Sequence, residues 1–258
     1  MASPEFEKTK TFVFSGEEIH VWRARLVPDA ESWQLLSDDE RARADIFRSS
    51  HDRRRFVAAR SSLRRILGLY ADLPPERLRF EYGPNGKPSL LGSGLRFNLS
   101  HTADLALFAI ALGQEVGVDV EAAAVLLDPE SVVQRCMSRR ERGWLDRVNL
   151  SSREAAILTT WVRKEAVAKG RGEGLGLDLM MIQTRPGARA EAAEVRVRTR
   201  PRDRWYVWDV PVGDGGSGAV AAQEKGLRIR LFDHAPSVVD LTALSLLPEE
   251  APVASLAT

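Results

Sequence analysis

Cysteine is almost missing from this chain. Cys136 stands alone among 258 residues, which excludes an internal disulfide or a cysteine-built zinc site and suits a reducing compartment. It reads as a packed thiol. Long hydrophobic runs are missing too: nowhere do eighteen apolar residues follow one another, and Met1 to Lys10 contains no apolar core of secretory-leader length. The expected location is the cytoplasm, without a membrane partner. An excess of one charge is also lacking, since 37 Lys and Arg face 36 Asp and Glu for a formal net charge of +1. That balance carries no overall nucleic-acid signature. What remains is a chain with 44% hydrophobic and 28% charged residues, ordinary for a soluble globular protein able to bury a sizeable core in one or two domains.

Two short segments carry the chemistry. In Gly117-Val118-Asp119-Val120-Glu121 carboxylates alternate with valines, so a strand would send Asp119 and Glu121 to the same face. In Trp161-Val162-Arg163-Lys164-Glu165-Ala166-Val167-Ala168-Lys169 a helix would align Trp161, Glu165 and Lys169 on one stripe. Three hard oxygen ligands beside an ammonium suit a magnesium-bound pyrophosphate, because magnesium takes a few carboxylates and completes its shell with water and phosphate oxygens. Each segment has a plainer reading alone: a solvated sheet face, or an exposed helix with internal ion pairs. Trp161 reads as packing rather than chemistry.

Their order along the chain is more specific. Gly86-Lys87-Pro88 comes first, then Phe97-Asn98-Leu99-Ser100-His101, the Gly117 to Glu121 strand, the Trp161 to Lys169 helix and Gly172-Glu173-Gly174-Leu175. This series resembles the Sfp-type 4'-phosphopantetheinyl transferases, from about Ser37 to Leu177 by motif and more loosely to Asp233. The resemblance implies an α/β (α+β) fold of two similar lobes, each a small sheet packed with helices, related by a pseudo-two-fold axis with coenzyme A in the cleft between them. The lobes would span residues 11–113 and 114–247, leaving 1–10 and 248–258 as loose termini. It also implies Asp119, Glu121 and Glu165 as magnesium ligands, with Asp119, Glu165 and Lys169 catalytic and Glu165 the favoured base. Lys87, Ser100, His101, Lys164 and Lys169 would contact coenzyme A. The implied partners are apo acyl, peptidyl or aryl carrier proteins, and the length favours a monomer over the short trimeric type. Two other readings stay open: a magnesium-dependent transferase for another nucleotide, and a non-catalytic module that binds coenzyme A or a carrier.

Glu40 departs from the family pattern, standing where some relatives carry a coenzyme A-binding lysine. Arg43 and Arg55 are then the best local candidates for the 3'-phosphate, since guanidinium groups bind phosphate bidentately. A carrier's acidic helix is expected to dock on Val132, Val133 and Met137 beside Arg135, Arg139 and Arg140; the plainer reading makes those apolar residues core and the arginines solvated.

Periodicity and turn signals predict strands at Glu18–Ala24, Arg79–Tyr82, Arg96–Leu99, Leu105–Leu112 and Val116–Glu121. Helices are predicted from Ser37, which with Glu40 forms a capping box, and over Asp52–Tyr70, Glu130–Arg135, Arg139–Val148 and Arg153–Lys169. A final β meander is expected at Ala193–Thr199, Trp205–Val212, Ala219–Ala222 and Leu227–Phe232.

Overall fold

The computed structural model describes residues 14–125, 128–173, 178–186, 192–198, 203–213 and 215–234. The expected loose termini, the end of the Gly172–Leu175 motif and Thr199 lie outside the described residues. Chain order in the first half is β1 (Glu18–Arg25), α1 (Asp38–Asp45), α2 (Ser50–Ala71), β2 (Phe80–Tyr82), β3 (Pro88–Leu90), β4 (Leu95–Thr102) and β5 (Leu105–Leu112). The second half runs β6 (Val116–Glu121), α3 (Pro129–Cys136), α4 (Arg139–Leu145), α5 (Leu150–Arg171), β7 (Ile182–Gln183), β8 (Ala193–Val197), β9 (Arg204–Val210), β10 (Ser217–Ala222) and β11 (Arg228–His234).

One sheet has the order β11-β1-β5-β4 and the other β6-β10-β9-β8-β7, with β2-β3 as a separate hairpin. Alternation along β5 explains the layering: Ala106, Phe108 and Ile110 face a core shared with α2, while Leu107, Ala109 and Ala111 face the second sheet. There they meet Val116, Val118 and Val120 of β6 and Val220 of β10. The opposite side of the second sheet, with Ala219 and Ala221, receives Val162, Ala166 and Val167 of α5. The result is four layers, helix on sheet on sheet on helix. A central strand apolar on both faces is what such a stack requires, and each buried Leu or Phe contributes roughly 1.5–3 kcal/mol.

Both capping boxes form, Ser37 with Glu40 on α1 and Ser138 with Glu141 on α4. Glu40 goes further. Its two carboxylate oxygens accept from Arg60 Nε and Arg64 Nε of α2, each at 2.6 Å, and it is almost fully buried. It is therefore the polar pin between α1 and α2.

The expected meander loses its last strand. β11 leaves the second sheet and pairs in parallel with β1, where Arg23 and Asp233 stand in register and bond through 2.7 and 3.0 Å contacts. An uncovered β1 would present an open sheet edge, and Phe232 stacks on Trp22 with ring centroids 4.7 Å apart. A strand counted in the 114–247 segment thus completes the sheet of the 11–113 segment.

Candidate functional site

β6 is the edge strand of its sheet, paired with β10 on one side only. Its other edge is met by side chains from one face of β4. Asn98 Oδ1 accepts the Val118 N–H at 2.9 Å, Thr102 Oγ1 accepts the Ala122 N–H at 3.3 Å, and between them Ser100 Oγ donates to Asp119 Oδ1 at 2.8 Å. Positions 98, 100 and 102 share a face because strand side chains alternate. These three side chains join the sheets without a backbone ladder.

α5 brings the other half. Along this helix Trp161, Glu165 and Lys169 are partly exposed while Val162, Lys164, Ala166, Val167 and Ala168 are buried, so the four-residue stripe faces outward from the packed side. Lys169 Nζ donates to Asp119 Oδ1 at 2.5 Å and to Ser100 Oγ at 2.8 Å. Asp119 is 1% exposed, and its Oδ2 has no hydrogen-bond partner among the described residues. Burial and the Asp119 charge both push the Glu165 carboxyl above its ordinary value, against the pull of Lys169 and the Trp161 side chain. Glu121 is raised in the same way, by burial first and Asp119 second, with the Thr102 hydroxyl, then Lys169, opposing. Three mutually repelling carboxylates beside one ammonium are a site short of positive charge.

Among the described residues no three His, Cys, Asp or Glu side chains close on a common point. The set is therefore no all-protein cage, because Lys169 rather than a second carboxylate sits on Asp119. It still fits magnesium, which needs only one or two carboxylates when phosphates and water supply the rest, and the orphaned Oδ2 of Asp119 is an acceptor in want of a cation.

The remaining candidates divide. Ser100 joins the cluster, but His101, next along β4, is exposed on the opposite face. Its pKa is lowered by desolvation, by Lys169 and by Arg55. Arg55 holds Asp104 at 3.1 Å, on the rim of a cleft of about 590 Å³ that Glu121, Arg23, Arg25 and His234 also line. Arg43 is exposed, its guanidinium 5.8 Å from the Phe56 ring centroid. Lys164 points away from the site. Its ammonium is wholly buried and donates to Glu141 Oε2 at 2.6 Å, Cys136 O at 2.8 Å and Leu179 O at 3.1 Å, so the expected coenzyme A contact is replaced by a core ion pair. All three Lys87 donors are likewise taken, by Glu115 Oε2 at 2.6 Å, Gly170 O at 2.6 Å and Val116 O at 3.2 Å. That arrangement clamps protein to protein where a ligand contact was expected.

Val132, Val133 and Met137 prove to be core, packed with Leu145 and Ile157; they offer no docking face. Arg139 and Arg140 are exposed and, with Arg198, line a second cleft of about 650 Å³. Sequence reasoning missed Asn98, Thr102 and Glu115. The two-residue spacing of Asn98, Ser100 and Thr102 was the available signal for the first two.

With the geometry in place, comparison with known proteins is decisive. A family model described as the 4'-phosphopantetheinyl transferase superfamily matches residues 115–223. The 4'-phosphopantetheinyl transferase HetI of Nostoc sp. is 37% identical over 171 residues, covering 63% of this chain and 72% of that protein. The chain belongs to this superfamily. Two more distant relatives agree in part. A Synechocystis sp. protein, slr0495, is 31% identical over 149 residues (56% of this chain, 59% of it), and the 4'-phosphopantetheinyl transferase psf-1 of Bacillus pumilus is 31% identical over 136 residues (52% and 57%). The superfamily match begins at Glu115 and so takes in the carboxylate strand and the whole of α5, whereas the Lys87 and Ser100 segments lie outside it. Among the described residues, no helix of this transferase is long and apolar enough to cross a membrane.

Proposed function

We propose that this transferase is of the Sfp type and moves 4'-phosphopantetheine from coenzyme A to a serine of apo acyl, peptidyl or aryl carrier proteins, releasing adenosine 3',5'-bisphosphate. It acts as a cytoplasmic monomer of two pseudo-symmetric lobes, with magnesium as cofactor and no nucleic-acid or membrane partner. The observation that carries the reading is the Asp119, Ser100 and Lys169 cluster at the seam between the sheets, with the raised carboxyls of Glu121 and Glu165 beside it.

Asp119, Glu121 and Glu165 would hold the magnesium ion, which when bound offsets the negative charge of the pyrophosphate oxygens. The chain's own groups do the rest. The carrier serine oxygen forms a bond to the pantetheine phosphorus as the bond from that phosphorus to the bridging pyrophosphate oxygen breaks, and the serine proton passes to the Glu165 carboxylate. Burial and Asp119 hold that carboxyl above its ordinary value before a cation binds, which favours its taking up a proton. Lys169, held by Asp119 and Ser100, keeps an ammonium where the leaving group gathers charge. Arg55, bonded to the cleft-lining Asp104, His101, exposed on β4, and exposed Arg43 on α1 are the candidates for the nucleotide phosphates. The cleft of Arg139, Arg140 and Arg198, lined by no acid among the described residues, suits an acidic carrier surface.

The test is intact-mass analysis of apo carrier proteins incubated with the enzyme, coenzyme A and magnesium. A phosphopantetheine mass increment on a serine, dependent on all three, is expected. Coenzyme A binding without any increment on a panel of acyl, peptidyl and aryl carriers would leave only the binding-module reading.

A further inference from the structure

We infer that Lys87 is a positioning residue, with Glu115 as its counter-ion, that holds the carboxylate strand β6 against the end of the catalytic helix α5. The inference rests on the transfer reading above and assigns Lys87 a role other than touching the substrate.

The ammonium of lysine has three donors, and each one goes to a different element of the site's frame. One bonds Glu115, in the β5–β6 connection, and another bonds Val116 O at the start of β6, three residues before Asp119. The third bonds Gly170 O, the residue after Lys169. A single Nζ thus ties the strand bearing Asp119 and Glu121 to the helix bearing Glu165 and Lys169. The carbonyls of a helix's last turn lack intrahelical partners and carry partial negative charge, so a cation there is both a hydrogen-bond donor and a favourable charge. Asn85 reinforces the same end, its Nδ2 donating to Gly172 O at 2.9 Å. The turn that presents both residues closes through Gly83 N–H to Lys87 O at 2.9 Å, with Gly86 at a φ of +80°. That φ is one glycine adopts freely.

Glu115 is shared. Its Oε2 takes Lys87 and its Oε1 takes Arg96 Nε at 3.1 Å. The Lys87 side chain is 18% exposed and that of Glu115 42%, so the ammonium and its two backbone acceptors are largely withdrawn from solvent while the counter-ion stays partly screened. Displacement of reacting groups by about 1 Å can cost on the order of 100-fold in rate, and the clamp sits one residue from Lys169.

The experiment compares Lys87→Met, Glu115→Gln and Lys87→Arg with wild type in three measurements. These are the rate of carrier loading at saturating coenzyme A, the dissociation constant of coenzyme A by calorimetry, and amide hydrogen exchange at residues 116–120 and 168–172. The positioning role predicts roughly tenfold lower turnover in Lys87→Met and a smaller loss of the same kind in Glu115→Gln. Coenzyme A affinity should stay within about twofold, exchange should rise in both segments, and Lys87→Arg should recover part of the turnover. A tenfold or greater loss of coenzyme A affinity in Lys87→Met, with Glu115→Gln like wild type in every measurement, would show a direct substrate contact and overturn the inference. Unchanged exchange in both variants would also overturn it. If Lys87→Met does not fold, Glu115→Gln decides by the same criteria. Wild type that loads no carrier defeats the transfer reading separately, and the exchange measurement still shows whether Lys87 holds β6 to α5.

Discussion

Gly117 and Gly170 meet backbone to backbone. A Cβ on Gly117 would lie 1.9 Å from Ala166 O and 2.3 Å from Gly170 N, and one on Gly170 would lie 2.5 Å from the Trp205 ring. Only this bare contact lets α5 come close enough to β6 for Lys169 to reach Asp119 at 2.5 Å. The first glycine is the second residue of the carboxylate strand and the second directly follows the catalytic lysine. Gly117→Ala should therefore lower stability by about 1–3 kcal/mol, as overpacking does, and should lower transfer even at temperatures where the variant is fully folded. Urea unfolding alongside carrier loading checks both, and an alanine variant with native turnover would remove the close approach from the mechanism.

The carboxylates should behave as one unit. Asp119→Ala, Glu121→Ala and Glu165→Gln are each expected to reduce turnover by roughly 10²–10⁴-fold. Pairs of them should lose little more than the worst single variant, because groups of one catalytic unit are not additive. A chelator should stop transfer and leave the circular dichroism spectrum unchanged. Wild-type rates for Asp119→Ala at limiting magnesium would refute the shared site.

The pH profile follows from the two raised carboxyls. Glu165 and Glu121 lie above the ordinary 4.5 because burial and Asp119 oppose their ionisation. The carboxylate is the form that both binds a cation and accepts a proton, so at limiting magnesium turnover should fall as pH drops through the raised values, and saturating magnesium should move that limb to lower pH. Measured from pH 8 down to 5, Glu165→Gln should show a low rate without the same limb. An identical limb in that variant would assign the titration to another group.

Lys164 and Lys169 offer a contrast five residues apart. Lys164 and Glu141 are both fully buried and bonded to each other. Removing one partner of such a pair costs about 3–5 kcal/mol, because the other charge is left stranded. Lys164→Met should thus unfold at much lower urea while any folded fraction keeps the normal coenzyme A requirement. Lys169→Met should change stability far less and turnover far more. A raised coenzyme A requirement in stable Lys164→Met would restore the ligand contact that the geometry replaces.

Reversing Arg139 and Arg140 to glutamate should raise the carrier concentration needed for half-maximal loading several-fold and flatten its salt dependence, with the coenzyme A requirement unchanged. Steering by charge acts on encounter and is screened by ions. A changed coenzyme A requirement with an unchanged carrier requirement would place this cleft with the nucleotide or the fold.

Legibility in the sequence tracked locality. Helix α5 and strand β6 were readable because their periods are local properties, 3.6 residues for one and two for the other. The partly exposed stripe at Trp161, Glu165 and Lys169 matches its four-residue spacing. Both capping boxes were readable for the same reason, since a serine and a glutamate three apart satisfy each other within one turn. The apolar strand at Leu105–Leu112 announced a central position by having no polar face.

Long-range partners were not legible. Lys87 and Lys164 each sit in a motif beside residues of the site, yet their ammoniums end among protein oxygens 15 to 83 residues away. Nothing local distinguishes a lysine that meets a ligand from one that meets a distant carbonyl. The same holds for β11, whose composition suits a meander as well as an edge of the first sheet; Trp22 and Asp233 decided its place by contacts across some 210 residues. Sequence by itself determined which residues could bond a phosphate, a proton or a cation, because that is a property of side chains. Tertiary structure alone decided which of them face one another, because burial consumes some of those donors in holding the frame and leaves Asp119, Glu121, Glu165 and Lys169 at the seam where the two sheets meet.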